Sequence, residues 1–222
     1  MIKDLFADDD NIIRQWKEPL AKDAIILRGF AYSKAPILLQ NIMDIAENAP
    51  FRYFMTPSGH MMSVSMTNCG QLGWISDKQG YRYTENDPLS GQKWPKMPEI
   101  FQQLAQKAAS QAGFTDFIPD ACLINRYHPG SRLNLHQDKN EIDLSQPIVS
   151  VSLGLPATFL FGGLQREYPC QRVLLTHGDI IVWGGSSRLR YHGILPLKDG
   201  VTPWPLQDNV RYNLTFRRVF PV

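Results

Sequence analysis

His136-Gln137-Asp138, at the end of the strand-like run Arg132–His136, sets an imidazole and a carboxylate two positions apart. In extended backbone, residues i and i+2 project from one side, so both can face a common ion if the strand persists that far. A second imidazole would complete a 2-His-1-carboxylate face, which leaves positions open for Fe(II), a co-substrate and oxygen. His192, directly after Leu189-Arg190-Tyr191, is the candidate for it. The triplet alone is weak evidence. The chain has five histidines, and His177-Gly178-Asp179 fits the same pattern. There the glycine makes a tight turn the expectation, with Asp179 capping local backbone amides.

The segment Arg211-Tyr212-Asn213-Leu214-Thr215-Phe216-Arg217 adds the second half of a site. Read with period two, Tyr212, Leu214 and Phe216 face one side, and Arg211, Asn213, Thr215 and Arg217 the other. An antiparallel strand with one wet face would look the same. Turned into a barrel, the polar face puts two arginines about 20 Å apart at Cα, on stems long enough to approach opposite ends of a small diacid. Asn125 and Tyr127 share a face of another strand and could donate to the same ligand. A triad with open positions plus a diacid-binding strand is the recipe of a 2-oxoglutarate-dependent oxygenase.

The elements that position these residues are read from periodicity. Two helix-like stretches come first. In Ser33–Asn48, Leu38, Ile42, Ile45, Ala46 and the following Ala49 recur at helical spacing, with Ser33 as the expected cap. In Pro98–Ala112, Phe101, Leu104, Ala105, Ala108 and Ala112 form one stripe, and Gly113 follows where a C′ glycine belongs. Between them, Phe51–Trp94 reads as irregular and aromatic. After Pro119 come short alternating runs at Ala121–Tyr127, Arg132–His136, Ile148–Leu155, Ala157–Phe161, Arg172–Leu175, Asp179–Trp183 and Arg211–Val219. Helices followed by close-spaced strands predict one α+β, mainly β domain, a jelly roll buttressed by two helices. Trp183 and Phe161 lie in apolar runs and are expected in the core.

Composition excludes the other classes. In 222 residues, 43% are hydrophobic and 20% charged, which is ordinary globular usage, and net charge is +2. That balance permits a nucleic-acid partner without arguing for one. Mean hydropathy is −0.26, and no stretch approaches the roughly 18 apolar residues a spanning helix needs. The start of the chain, acidic at Asp8, Asp9 and Asp10, lacks an apolar signal region. Cys69, Cys122 and Cys170 are odd in number and far apart, as suits reduced thiols. A monomer in the cytoplasm, with no membrane partner, is the expectation.

The chain resembles the bacterial AlkB-type Fe(II)/2-oxoglutarate dealkylases of nucleic acids over nearly its whole length. The residues that carry the resemblance begin with Cys69 to Trp74 (CGQLGW), Asp120 to Tyr127 (DACLINRY) and Leu135 to Lys139 (LHQDK). Pro147 to Pro156 (PIVSVSLGLP), Phe161 to Leu164 (FGGL) and His177 to Gly185 (HGDIIVWGG) match as well, as do Tyr191 to Ile194 (YHGI) and Arg211 to Arg217 (RYNLTFR). The resemblance implies a double-stranded β-helix core over about 119–222, with iron on His136, Asp138 and His192. It implies 2-oxoglutarate held by Asn125, Tyr127, Arg211, Asn213 and Arg217, with O2 as the other co-substrate.

The aromatic section has two readings from its residues. Trp74, Tyr81 and Tyr83 beside Lys78 and Arg82 suit base stacking and phosphate binding, or the rings pack a small satellite core. The resemblance makes residues 51–94 a nucleotide-recognition lid. Trp74 would then stack on a flipped alkylated base opposite His136, with Tyr81, Arg82 and Tyr83 on the backbone and Arg166 at the far rim. The implied substrate is N-alkylated single-stranded DNA or RNA, with bases such as N1-methyladenine and N3-methylcytosine. Asn140 departs from the family's aspartate, a base contact suited to cationic lesions; adjacent Glu141 is a candidate to compensate. Competing readings are a 2-oxoglutarate-dependent hydroxylase of a protein or small molecule, and a non-catalytic jelly-roll binding module.

Overall fold

A computed structural model describes residues 15–203, 205, 206 and 208–221. The acidic start at Asp8–Asp10 lies outside the described residues. The first half of the chain forms β1 (Trp16–Ala21), β2 (Ala24–Arg28), α1 (Ala35–Asn48), β3 (Arg52–Met55), β4 (Met61–Gly70), β5 (Gly73–Asp77), β6 (Gly80–Thr84) and α2 (Glu99–Gln111). The second half is strands: β7 (Ala121–Tyr127), β8 (Leu133–His136), β9 (Ile148–Gly154), β10 (Ala157–Phe161), β11 (Gln171–Leu175), β12 (Ile180–Trp183), β13 (His192–Ile194) and β14 (Arg211–Arg217). All seven runs expected after Pro119 are strands, and β7 and β10 coincide with them residue for residue.

Two antiparallel sheets result, an eight-stranded one in the order β1-β2-β12-β9-β14-β7-β4-β3 and a four-stranded one in the order β11-β10-β13-β8. The β5–β6 hairpin stands apart as a third, two-stranded sheet. Alternation along the large sheet divides two cores. Val149, Val151 and Leu153 of β9 and Tyr212, Leu214 and Phe216 of β14 pack against Leu38, Ile42 and Ile45 of α1 and Phe101, Leu104 and Ala108 of α2. The opposite face meets the small sheet through Ile148, Ile181 and Trp183 against Phe159, Phe161, Leu175 and Ile194. This is the helix-buttressed, mainly β jelly roll that the periodicity predicts. Strand β14 lies at its centre, paired on both sides with β7 and β9, so its polar face can point only into the space between the sheets.

Three expectations need correcting. Phe51–Trp94 is not irregular: it holds four strands, and β4 pairs with β7 inside the large sheet. Alternation fails there because the polar Ser65, Thr67 and Asn68 are buried; Thr67, for example, donates its hydroxyl to Ala49 O at 2.6 Å. The N-terminal hairpin β1–β2 likewise precedes the helices and joins the sheet beside β12. Ser33 is not the cap of α1. It lies within a 3-10 turn, Tyr32–Lys34, that leads into the helix, and Lys34 takes the capping position without a side-chain bond. The end of α2 does follow the pattern. Gly113 has φ +92°, and the N–H groups of Gly113 and Phe114 bond Ser110 O and Ala109 O, which closes a Schellman motif. No helix among the described residues is long and apolar enough to cross a membrane.

Candidate active site

Strands β8 and β13 pair so that His136 and His192 are direct partners. Opposed residues of antiparallel strands share a face, and here the two rings lie 4.4 Å apart. Asp138 follows in a loop, because β8 ends at His136. Long side chains anchor it in place of the extended strand. Arg188 Nη1 donates to Asp138 O at 2.6 Å, and Gln137 Nε2 donates to Leu189 O at 2.6 Å. One ligand atom from each of His136, Asp138 and His192 falls within a 4.8 Å span, with Asp138 oxygens 3.7 and 3.8 Å from the two Nε2 atoms.

The histidines are prepared as ligands. Nδ1 of His136 bonds Asn134 O at 2.9 Å, and Nδ1 of His192 bonds Arg190 O at 3.0 Å. Each contact places the proton on Nδ1 and leaves the Nε2 lone pair free. Burial, with the neighbouring His136, pushes the His192 imidazole down to about 3, so it stays neutral. Burial opposes ionisation of Asp138, but Arg217, His192 and His136 together outweigh it and hold the carboxyl well below the usual carboxylate range. Two imidazoles and one carboxylate on an open face suit Fe(II). Trp183, assigned to the core, is buried there and sets its ring 5.0 Å from that of His192.

The inner face of β14 carries both arginines. Arg217 donates to Asp138 Oδ2 from Nη2 at 2.7 Å and from Nε at 3.0 Å. Arg211, 1% exposed, donates from Nη2 to Ser152 Oγ at 2.9 Å, while its Nε and Nη1 have no partner. Burial draws its guanidinium down to about 10. Buried unpartnered donors on a charged group are costly, and they suit an anionic ligand. The Tyr127 ring lies 6.0 Å from the Arg211 guanidinium carbon, and burial pushes its phenol up to about 12, leaving a neutral donor. Asn125 Oδ1 is also unpartnered, and Asn213 is held by Ser150 and Val151 O. The orphaned Arg211 donors and the neutral Tyr127 phenol fit a dianion such as 2-oxoglutarate.

The hairpin residues divide. Trp74 and Tyr81 stack at 5.6 Å with 15° between planes, and Tyr81 is 44% exposed. Tyr83, cross-strand partner of Trp74, turns inward and donates its hydroxyl to Glu141 Oε1 at 2.5 Å. Arg82 occupies the other face of the hairpin in a bidentate pair with Asp77. Arg166 lies in the exposed turn after β10, its guanidinium carbon 5.1 Å from the Tyr191 ring. Asn140 is exposed. Glu141 is not available to compensate for it, because it is buried in an ion pair with Arg188. Sequence reading missed Arg188, Ser150, Ser152 and Asn68. Asn68 clamps Trp74 by bonding both its N–H and its C=O at 3.0 Å.

The second His-x-Asp is a turn, with Gly178 at φ +88°. The Asp179 carboxylate accepts from Arg28, Gly29 N–H and Thr176. Asp179→Ala is expected to cost about 3 kcal/mol by removing the buried acceptor shared by Arg28, the Gly29 N–H and Thr176, seen as a lowered Tm, with Mn(II) affinity of the folded protein unchanged. A lost metal site without a Tm change would contradict this.

The comparisons agree with the geometry. The model of the 2OG-Fe(II) oxygenase superfamily matches residues 23–217. The alpha-ketoglutarate-dependent dioxygenase AlkB of Escherichia coli (strain K12) is 58% identical over 97% of this chain and 97% of its own length. The AlkB homolog of Caulobacter vibrioides is 40% identical over 82% of this chain and 80% of its own length. The solved structure of OsALKBH1 superposes with a TM-score of 0.79 at 27% identity, covering 91% of this chain and 99% of that one. This chain therefore belongs to the 2OG-Fe(II) oxygenase superfamily and, within it, to the AlkB-type alpha-ketoglutarate-dependent dioxygenases.

Proposed function

We propose that the chain removes N-methyl groups oxidatively from alkylated bases, N1-methyladenine and N3-methylcytosine among them, in single-stranded DNA or RNA. The observation that carries this is the open His136-Asp138-His192 face sharing the inter-sheet space with an orphaned, buried Arg211. Fe(II) on that face supplies the oxidising chemistry when 2-oxoglutarate and O2 are present; the co-substrate leaves as succinate and CO2. Hydroxylation of the N-methyl carbon gives a hemiaminal that releases formaldehyde and the unmodified base.

The protein's own residues bind and orient. Arg211, with Tyr127, Asn125 and Asn213 around it, takes the far carboxylate of 2-oxoglutarate, and Arg217 stands at the metal end. Within a single domain, the hairpin Gly73–Thr84 acts as the lid in the section 51–94. The stacked Trp74–Tyr81 pair, supported by Asn68, offers a platform to a base extruded from the strand, with His136 opposite. In this reading Tyr81 touches the nucleic-acid backbone and Arg166 holds the substrate from the far rim. Arg82, paired to Asp77, and Tyr83, turned to Glu141, are less available to it. The free thiols of Cys69, Cys122 and Cys170 support a cytoplasmic setting, and we take the working unit to be one chain.

Succinate formation by the purified protein should require added Fe(II), stop with chelator, and rise with methylated but not unmodified oligonucleotide. Equal stimulation by both would overturn the substrate assignment. Asn140→Asp should favour cationic over neutral lesions about 2- to 5-fold, the worth of one exposed charge pair. Unchanged substrate ratios would mean that position 140 does not touch the base.

A further inference from the structure

Two buried carboxylates, Asp138 and Glu141, compete for one guanidinium. Arg217 binds Asp138 Oδ2 at 2.7 and 3.0 Å, and its Nε lies 3.4 Å from Glu141 Oε1. Asp138, Glu141, Arg188 and Arg217 are all less than a tenth exposed, so neither attraction is screened away by solvent. Glu141 loses the contest because its oxygens are already occupied. Arg188 Nη2 donates to Oε2 at 2.9 Å, and the Tyr83 hydroxyl donates to Oε1 at 2.5 Å. Oε1 is the same oxygen that Arg217 approaches.

We propose that Tyr83 is a positioning residue for the co-substrate site. By saturating Glu141 Oε1 it keeps Arg217 aimed at Asp138 and the metal end of the 2-oxoglutarate pocket. The proposal rests on the reading of Arg217 as a co-substrate residue. Tyr83 stands opposite Trp74 in the β5–β6 pair, so the hairpin that carries the aromatic platform also sets the arginine beside the metal. Without that hydroxyl, Glu141 Oε1 has an open acceptor position, and Arg217 shifts toward it. Asp138 then loses a cation, and 2-oxoglutarate loses a donor held in register.

The two consequences separate the two ligands, which a general loosening of the fold would not do. In the full chain, with Mn(II) replacing Fe(II) so that no turnover occurs, calorimetry should show Tyr83→Phe binding 2-oxoglutarate about 5- to 20-fold more weakly, the reach of one charge-assisted hydrogen bond. Mn(II) alone should bind the variant as tightly as wild type or a few-fold tighter, because less positive charge sits beside Asp138. Adding Glu141→Gln removes the competing charge, and the double variant should recover 2-oxoglutarate affinity to near wild type. Unchanged 2-oxoglutarate affinity in Tyr83→Phe, weakening of both ligands together, or a folded double variant without recovery would each overturn the proposal. Wild-type protein that bound Mn(II) but no 2-oxoglutarate would instead overturn the site reading beneath it.

Discussion

Arg211→Met is expected to weaken 2-oxoglutarate binding about 100-fold or more while leaving the ligand-free protein at least as stable as wild type. Arg211 is buried and carries two donor positions without partners. In the ligand-free state that guanidinium is a burden, which burial expresses by drawing it down to about 10. Methionine fills much of the same volume with no charge to desolvate, so Tm should hold or rise. With ligand bound, the balance reverses. Two charge-assisted bonds to a carboxylate are worth about 1.5–3 kcal/mol each, and losing both exceeds two decades of affinity. Calorimetry with Mn(II) and a thermal melt measure the two halves. Unchanged affinity would remove Arg211 from the pocket, and a large fall in Tm would mean that its role is structural.

The metal ligands should separate in the same way. His136→Ala and Asp138→Ala are both expected to lose turnover below detection, but only Asp138→Ala should lose substantial stability. Asp138 is the chief partner of buried Arg217, which donates to it twice. Deleting one member of a buried pair leaves an uncompensated charge and costs about 3–5 kcal/mol. His136 is partly exposed and bonds only its neighbour Asn134 O through Nδ1, so its loss leaves no such orphan. Formaldehyde release and chemical denaturation test both variants. Retained release in either would refute the ligand assignment, and equal stability would refute the coupling of Asp138 to Arg217.

Much of this site is legible in the sequence. In β14 the alternation of Tyr212, Leu214 and Phe216 with Arg211, Asn213, Thr215 and Arg217 is unambiguous, because the strand is long and each face has one chemistry. The His177-Gly178-Asp179 turn was legible for a related reason, since glycine between polar residues leaves few backbone options. The pairing of His136 with His192 was not legible from spacing, because β13 has only three residues and shows no period. His192 was a candidate only because the face needs a second imidazole, and the resemblance then implied it as a ligand. Strand β4 escaped because buried Ser65, Thr67 and Asn68 read as loop, and the partners that bury Thr67 and Ser65 lie 18 and 61 positions away. Glu141 was misread for the same reason. Its contacts with Arg188, 47 positions on, and Tyr83, 58 positions back, turn it inward, and a neighbour in sequence is no guide to that. The difference between Arg211 and Arg217 was equally hidden, since it depends on which of them already holds a carboxylate.

The central claim is that the His-Asp-His face and the Arg211 pocket are one chamber that holds a metal ion and a chelating keto-diacid together. Equilibrium dialysis of labelled 2-oxoglutarate against the full chain, with and without Mn(II), tests it most directly. One molecule per chain should bind with Mn(II) present, at least about tenfold more tightly than without it, since chelation adds metal–ligand bonds to the arginine contacts. Binding of equal strength with and without Mn(II), or none in either case, would contradict the account.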